Sequence, residues 1–266
     1  MFARMRTQPS PPLVDTHAHA FRRGLTLATT RRYAPDYDST VEDYLSELDT
    51  NAIERGVLIQ PSFLGIDNSY LLACLALHPA RLRGVVVVDP ESKPDLDELH
   101  EQGVRGVRLN LIGAEVPDLS RPSWQGMGEA MERLGWHLEV QAKGEQWVDL
   151  APRLASWTSQ VVIDHLGLPS AEDSRAIDLV SEVGQLAHVW TKVSAPYRSE
   201  GAVEAVERYL DTRGTENLLF GTDWPFTKHE EGRWMNAQVS WARSLLGDDA
   251  FEDALPRNAQ RLFAWH

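Results

Sequence analysis

The sequence lacks the cysteine pairs that a disulfide framework requires, because Cys74 is the single cysteine among 266 residues. An intramolecular disulfide is therefore excluded, and a lone thiol fits a reducing compartment, so we expect a cytoplasmic protein. Cys74 lies in the apolar stretch YLLACLALH, which favours a buried core thiol over a nucleophile. The sequence also lacks any run that approaches the roughly 18 apolar residues of a membrane span, so no membrane partner is expected.

Positive charge is scarce, since 26 Lys and Arg residues stand against 39 Asp and Glu residues, a net charge of −13. This balance argues against nucleic acid or an anionic membrane as a bulk partner. It does not exclude a small anionic substrate, because a few buried arginines can create a local positive pocket. No long linker divides the chain, so we expect one domain over residues 1–266, with residues 1–11 as a flexible leader.

Short runs rich in Val, Ile and Leu alternate with longer stretches of helical period, as in an α/β protein with a parallel sheet. The first helix is expected over residues 40–55, ended by Gly56. Eight strands favour a closed (β/α)₈ TIM barrel, which takes about 250 residues. An open doubly wound sheet is the alternative, weakened because no glycine-rich phosphate loop follows a strand. The strand candidates are LVDTHA from Leu13, VLIQPS from Val57, GVVVVDP from Gly84, GVRLNL from Gly106, HLEVQA from His137, VVIDHLG from Val161, VWTKVS from Val189 and LLFGTDW from Leu218.

The longest connection without helical or strand period covers residues 20–39 and follows the first predicted strand. Connections of this length in compact domains are usually functional or disordered. This one carries arginines and a tyrosine in an otherwise acidic protein, so a functional loop and a solvated loop are both compatible with its sequence.

Polar residues stand at the ends of three predicted strands, where a TIM barrel places its catalytic groups. The two-residue period of a strand points His17 and His19 to the same side. Two imidazoles there can bind one metal ion or polarise one carbonyl oxygen. His165 ends the sixth strand and shares their face. Asp223 stands at the end of the eighth strand and is a natural general base for water, although it can also cap the following loop.

The motifs DTHAH, DHLG, GTDWP and PRNAQRLF, in this order and over nearly the whole chain, resemble those of the amidohydrolase-related TIM-barrel family. The similarity is to the branch that contains 2-pyrone-4,6-dicarboxylate lactonase and sugar-acid lactonases. The resemblance implies a hydrolase that opens a small carboxylated lactone. It implies that His17, His19 and His165 surround the lactone carbonyl. Asp223 would activate the water and later protonate the leaving oxygen.

The same resemblance implies an anion-binding set. Arg108 has independent support, because an arginine inside an apolar strand must find an anion or suffer a large cost of burial. The alternative for Arg108 is an internal salt bridge, for example with Glu139, and the alternative for Arg198 is a position on a loop surface. The candidate substrate-binding residues are Arg108, Ser62, Tyr33, Arg198 and Gln141.

Metal ligands are incomplete in the sequence, because the fourth strand offers Asn110 and the fifth ends in Gln141, both poor ligands for zinc. His137 lies two pleats before Gln141 and is expected to be too deep. We therefore expect no required cofactor. Lys192 on the seventh strand either adds a positive charge near the site or faces a helix. The alternative is a single zinc ion on His17, His19, His165 and Asp223.

Two other functions remain open at this stage. One is a zinc-dependent hydrolase or a non-oxidative decarboxylase of the same superfamily, which chelator sensitivity would reveal. The other is a barrel that binds a small acid without converting it. Four chemically active groups at strand ends argue against the second alternative. The sequence carries no signal of oligomeric state.

Overall fold

The computed structural model describes residues 11–170 and 173–265, and within them eight parallel strands form one sheet. Each strand pairs with the next one along the chain, in the order β1 to β8, which confirms the predicted TIM barrel. The predicted leader lies outside the described residues except for residue 11. The strands are β1 (Val14–Ala18), β2 (Arg55–Ile59), β3 (Leu82–Val86), β4 (Val104–Asn110), β5 (His137–Gln141), β6 (Gln160–Ile163), β7 (Val189–Val193) and β8 (Leu218–Phe220).

Helices connect the strands and pack on the outside of the sheet. None of those in the described part of the chain is long and apolar enough to cross a membrane. A π-helical turn at Ala250–Ala254 precedes the last one. The α-helices are α1 (Val41–Thr50), α2 (Ser69–Leu77), α3 (Leu96–Glu101), α4 (Pro122–Leu134), α5 (Gln146–Ala155), α6 (Ser174–Gly184), α7 (Ala202–Arg213), α8 (Met235–Leu246) and α9 (Leu255–Phe263).

The predicted end of the first helix is wrong by five residues. The helix begins as expected, with Thr40 and Asp43 forming a reciprocal capping box. It ends at Thr50 because Ala52 has a φ of 54°, which a right-handed helix cannot contain. Arg55, which the prediction placed in the helix, instead starts β2 and pairs with β1.

The barrel closes between β1 and β8 through an isolated bridge that joins Ala18 and Trp224. The His19 amide donates to the Trp224 carbonyl at 2.8 Å, and the Asp223 amide donates to the His17 carbonyl at 2.8 Å. These bonds continue the sheet beyond the last residue of β8. The closure therefore brings the histidines at the end of β1 next to the aspartate after β8.

Apolar side chains fill the barrel from its N-terminal end. One buried cluster joins Val14, Val57 and Trp190 on the strands to Leu262 and Phe263 on α9. A larger cluster lies between the sheet and the surrounding helices. Because α9 packs against the strands at the N-terminal end, the opposite end of the barrel is left for polar chemistry.

Cys74 lies on α2 with about 2% of its surface exposed, as the sequence predicts for a core thiol. Burial raises the pKa of this thiol to about 11. Only about one thiol in a thousand is then ionised at pH 8, and the thiolate is the reactive form. We expect the native protein to resist an aromatic disulfide reagent at pH 8 and to titrate one thiol after unfolding in guanidinium. A Cys74→Ala variant provides the blank, and rapid reaction of the native protein would contradict the prediction.

Candidate active site

The four residues predicted at strand ends lie together in the structure. His17 belongs to β1 and His19 follows it, while His165 lies in a short 3₁₀ turn, Asp164–Gly167, after β6. Asp223 comes three residues after β8. The Nε2 atoms of His17, His19 and His165 lie 3.7, 3.9 and 3.9 Å from the Oδ1 atom of Asp223. One carboxylate oxygen thus faces three imidazoles.

Unusual backbone conformations hold two of these side chains in place. His165 has a φ of 51° and Asp223 a φ of 63°, in the left-handed region that residues with a side chain seldom adopt. Gly221 lets the chain after β8 pass close to β1, because a Cβ atom at Gly221 would lie 2.7 Å from the Cβ atom of His17. Such costly conformations persist where the surrounding structure enforces them, and they cluster at functional sites.

Hydrogen bonds orient two of the imidazole rings. The Nδ1 atom of His19 lies 2.8 Å from the Ile59 carbonyl oxygen, which can only accept, so Nδ1 carries the hydrogen and Nε2 presents a lone pair. The Nδ1 atom of His165 lies 2.8 Å from the Ser194 hydroxyl. Burial lowers the pKa of His19 to about 3 and that of His165 to about 4, so both rings are neutral at neutral pH.

The two oxygens of Asp223 have different surroundings. Its Oδ2 atom accepts hydrogen bonds from the Tyr197 hydroxyl at 2.6 Å and from Arg198 Nε at 2.5 Å. Its Oδ1 atom has no hydrogen-bond partner among the described residues. Burial alone would raise the pKa of Asp223, but the Arg198 guanidinium and the imidazoles lower it far below its usual value. The carboxylate is therefore ionised, with one oxygen fixed and the other free.

A cavity of about 230 Å³ opens above this cluster. His19, His165 and Asp223 line it, whereas His17 lies beneath them with no exposed surface. The volume suits a small molecule. Among the described residues of the lining, cationic side chains outnumber the single carboxylate and make the cavity attractive to anions in an otherwise acidic protein. The cations are Arg32, Arg108, Lys143, Arg198 and Lys228.

The predicted substrate-binding residues all line this cavity, but Arg198 and Tyr33 are held by protein groups outside the predicted set. Arg198 is held by Asp223 and by the carbonyl of Thr227 at 3.1 Å, so it does not lie on a loop surface. The Tyr33 hydroxyl donates to Glu230 Oε1 at 2.5 Å. The five residues that line the cavity as predicted are Arg108, Ser62, Tyr33, Arg198 and Gln141.

Arg108 was predicted either to bind an anion or to form an internal salt bridge, and its position is compatible with both. Its guanidinium lines the cavity, and its NH2 group donates to Gln141 Oε1 at 2.8 Å. The same group lies 3.5 Å from Asp164 Oδ2, and its Nε atom lies 4.0 Å from Glu139 Oε1. Arg108 therefore belongs both to the cavity wall and to a charge network in the barrel interior.

Lys192 is the other cation of that interior network and does not face a helix. Its Nζ atom lies 2.5 Å from Glu139 Oε2, 3.2 Å from Asp164 Oδ1 and 3.1 Å from His17 Nδ1. His137, predicted to be too deep, is buried in this network with its Nε2 atom 3.5 Å from Glu139 Oε2. The floor of the site is thus built from fully buried charges.

Several residues in or around the cavity were not among the predicted site residues. Tyr197, which donates to Asp223, precedes Arg198, and Asp164, which lies beside His17, precedes His165, so proximity to a predicted residue was the available signal for both. Arg32 lies in the arginine-bearing loop of residues 20–39, for which a functional role was one of two alternatives. Nothing in the sequence distinguishes Lys143 or Lys228 from other exposed lysines.

The donor types at this site suit zinc, which accepts imidazole and carboxylate ligands. The ligand atoms of His17, His19 and Asp223 lie within 4.8 Å of one another, and so do those of His17, Asp164 and His165. One contact opposes such binding: the Lys192 ammonium lies against His17 Nδ1. The residues therefore could hold a metal by type, but His17 does not fit this role as it is placed.

Comparison with known proteins identifies the family of this chain. The chain matches the amidohydrolase family model over residues 14–265. A crystal structure from Acinetobacter baumannii, named as a 2-pyrone-4,6-dicarboxylic acid hydrolase and holding citric acid, is 33% identical with a TM-score of 0.89. The match covers 96% of this chain and 100% of that one.

Two further relatives carry names of the same kind. A structure from Pseudomonas putida, named as a 2-pyrone-4,6-dicarboxylic acid hydrolase, is 37% identical with a TM-score of 0.84 and covers 95% of this chain and 97% of its own. A 2-pyrone-4,6-dicarboxylate hydrolase from Comamonas testosteroni is 28% identical over 233 residues, 80% of this chain and 76% of that protein. The chain therefore belongs to the amidohydrolase family, in the branch that resembles these hydrolases.

Proposed function

We propose that this protein is an enzyme that hydrolyses a small lactone carrying at least one carboxylate. The observation that carries the proposal is the free Oδ1 atom of Asp223, which faces three imidazoles at the floor of a cavity lined by cations. Such a site combines a general base, neutral hydrogen-bonding rings and a place for an anion. The names of the relatives support a cyclic ester as the substrate.

Asp223 and His19 prepare the water in this mechanism. Asp223 Oδ1 accepts one hydrogen of the water, and the Nε2 lone pair of His19 accepts the other. The water oxygen attacks the lactone carbonyl carbon while its proton passes to Asp223. His19 thus orients the water rather than polarising the carbonyl, because its own hydrogen is engaged by Ile59.

The oxyanion that forms needs a hydrogen-bond donor, and His165 lines the same cavity. When the Ser194 hydroxyl donates to His165 Nδ1, the Nε2 atom of His165 carries a hydrogen toward the cavity. Collapse of the intermediate breaks the ring C–O bond, and Asp223 returns the proton to the leaving oxygen. The product is the open-chain acid, which carries a new carboxylate at neutral pH.

The cationic groups of the wall bind the carboxylate of the substrate. Arg108 offers a planar guanidinium, whose geometry suits a carboxylate bidentately. Ser62 adds a hydroxyl at the cavity surface, and Gln141 fixes the position of Arg108. Arg198 and Tyr33 contribute once a substrate competes with Asp223 and Glu230 for their hydrogens.

Proton release in weakly buffered solution tests the activity. A carboxylated six-membered lactone, its neutral analogue and an open-chain ester with the same acid group form the panel. We expect fast ring opening of the first and slow reaction of the other two. Release of carbon dioxide from an aromatic acid would favour the decarboxylase alternative, and saturable binding without turnover would favour a binding protein.

Metal independence follows from the same site and is a separate prediction. Asn110 and Gln141 stand where stronger ligands would be needed, and Lys192 occupies the space beside His17. Protein dialysed against EDTA and dipicolinate should keep its lactonase activity, and elemental analysis should find well under one metal ion per chain. Stoichiometric zinc, with activity that disappears on its removal and returns on its addition, would support the zinc-dependent alternative instead.

A further inference from the structure

We propose that Lys192 is a positioning residue that serves as a built-in cation beneath the active site and fixes His17 as a hydrogen donor toward Asp223. Its effect on turnover rests on the proposed function, whereas the state of His17 does not. Neither the family model nor the names of the relatives assigns a role to this lysine.

The contact between Lys192 and His17 determines which ring nitrogen carries the hydrogen. The Nζ atom lies 3.1 Å from Nδ1, and an ammonium group can only donate. Nδ1 must therefore present its lone pair. Asp164 Oδ1 lies 3.2 Å from the same nitrogen and would accept a hydrogen carried there, but the Lys192 ammonium is the nearer group and favours the lone pair. The hydrogen of the neutral ring is thus on Nε2, 3.7 Å from Asp223 Oδ1.

Lys192 is held rigidly enough to impose this state. It has no exposed surface, and its ammonium donates to Glu139 Oε2 at 2.5 Å, a short charge-assisted bond. The interior network is electrically balanced, because Arg108 and Lys192 oppose Glu139 and Asp164. Withdrawal of Lys192 would leave two carboxylates buried with one cation, so the ammonium cannot leave His17 at low cost.

A fixed Nε2–H has two consequences at the floor of the cavity. It directs a hydrogen, rather than a lone pair, at the Oδ1 side of Asp223, which favours the ionised carboxylate and disfavours a divalent cation. Lys192 also supplies positive charge from beneath the cavity, on the Nδ1 side of His17. The lysine thus acts through His17 and touches neither the water nor the lactone.

Long-range proton–nitrogen correlation spectra of uniformly ¹⁵N-labelled protein test the assignment directly. The His17 signals are identified by their loss in a His17→Gln variant. We expect Nε2 of His17 to show the shift of a protonated nitrogen and Nδ1 that of an unprotonated one, while His19 shows the reverse. A hydrogen on Nδ1 of His17 in the unaltered protein would overturn the proposal, whatever the enzyme does to lactones.

A double variant, K192M/E139Q, removes one positive and one negative charge and preserves the balance of the interior. In it, Nδ1 of His17 is free to donate to Asp164, so the hydrogen should move and Nε2 should gain a lone pair. We expect zinc to bind at least 10-fold more tightly in equilibrium titrations, and kcat for a carboxylated lactone to fall about 10- to 100-fold with KM changed less than about 3-fold.

Two controls separate the role of Lys192 from a general loss of packing. Glu139→Gln alone keeps an acceptor for the ammonium and should retain the state of His17 and weak zinc binding. Lys93→Met removes an exposed lysine and should change none of these quantities. Unaltered zinc affinity and an unmoved hydrogen in a folded double variant would contradict the inference. If that variant does not fold, the spectra of the unaltered protein still decide.

A protein that shows the expected state of His17 but opens no lactone would refute the proposed function and leave the positioning role intact. A protein that opens lactones with the hydrogen on Nδ1 would refute the positioning role alone. The two ideas therefore fail separately.

Discussion

Asp223→Asn is expected to lower kcat for a carboxylated lactone by roughly 10³- to 10⁴-fold, the upper range for loss of a general base. The amide has nearly the size of the carboxylate, and its oxygen can still accept from Tyr197 and Arg198. It cannot take a proton from water at Oδ1, the atom that faces the three imidazoles. The loss should therefore appear in kcat rather than in folding.

Steady-state kinetics and thermal melting of the same preparations measure this effect. Asp97→Asn is a matched control, because Asp97 also pairs with an arginine, Arg133 at 2.6 Å, but on the exposed surface of α3 and α4. The control should keep full activity. Turnover by Asp223→Asn within a few-fold of the unaltered enzyme would remove Asp223 from the role of base.

Arg108→Met should weaken transition-state binding of a carboxylated lactone by about 2–5 kcal/mol, measured as the fall in kcat/KM. The methionine has similar reach but offers no donor to the substrate carboxylate, whose desolvation is then uncompensated. A neutral lactone of the same ring should lose far less. The long-range field of this acidic protein gives an anion no advantage, so the local guanidinium must supply the attraction.

The position of Arg108 in the interior network requires a companion variant. Arg108→Met leaves Asp164 with less positive charge nearby, so the melting temperature of this variant is expected to fall as well. Arg108→Lys keeps the charge but removes the planar donor geometry, and we expect its activity to lie between that of Arg108→Met and that of the unaltered enzyme. Arg105→Met is the control on the same strand, because Arg105 bonds to main-chain carbonyls at the other end of β4. Equal losses on charged and neutral lactones would make Arg108 structural.

The barrel could be predicted because strands buried on both faces are recognisable as Val- and Ile-rich runs, and eight of them close on one another. The end of α1 could not be predicted. Leu48, Ala52 and Ile53 continue a helical stripe in the sequence, yet Ala52 adopts a left-handed conformation so that Arg55 can join β2. Tertiary pairing of the strand decided this boundary, and local periodicity carries no information about it.

The histidines and Asp223 could be predicted for a topological reason: parallel strands end on the same face, so polar residues at those ends must meet. The side-chain contacts that these residues make with other groups of the site could not be predicted. Arg198, after β7, contacts Asp223, after β8, and Lys192 on β7 contacts Glu139 on β5. Which of these side chains meet depends on the tilt of the strands and on the rotamers, and local sequence does not determine either. The sequence therefore indicated which polar groups meet at this face, while the structure supplied the partners that set their protonation.

The cationic lining of the cavity also bears on how fast product leaves. Ring opening converts an ester into an acid, so the product carries one more negative charge than the lactone that entered. Lys143 and Lys228, together with the three arginines, attract the product more strongly than the substrate. Departure of the product, rather than bond cleavage, is then expected to limit turnover at low ionic strength. Moderate salt screens these charges, so it should accelerate product release and slow substrate capture. The rate at saturating substrate should then rise with salt, while the rate at dilute substrate should fall.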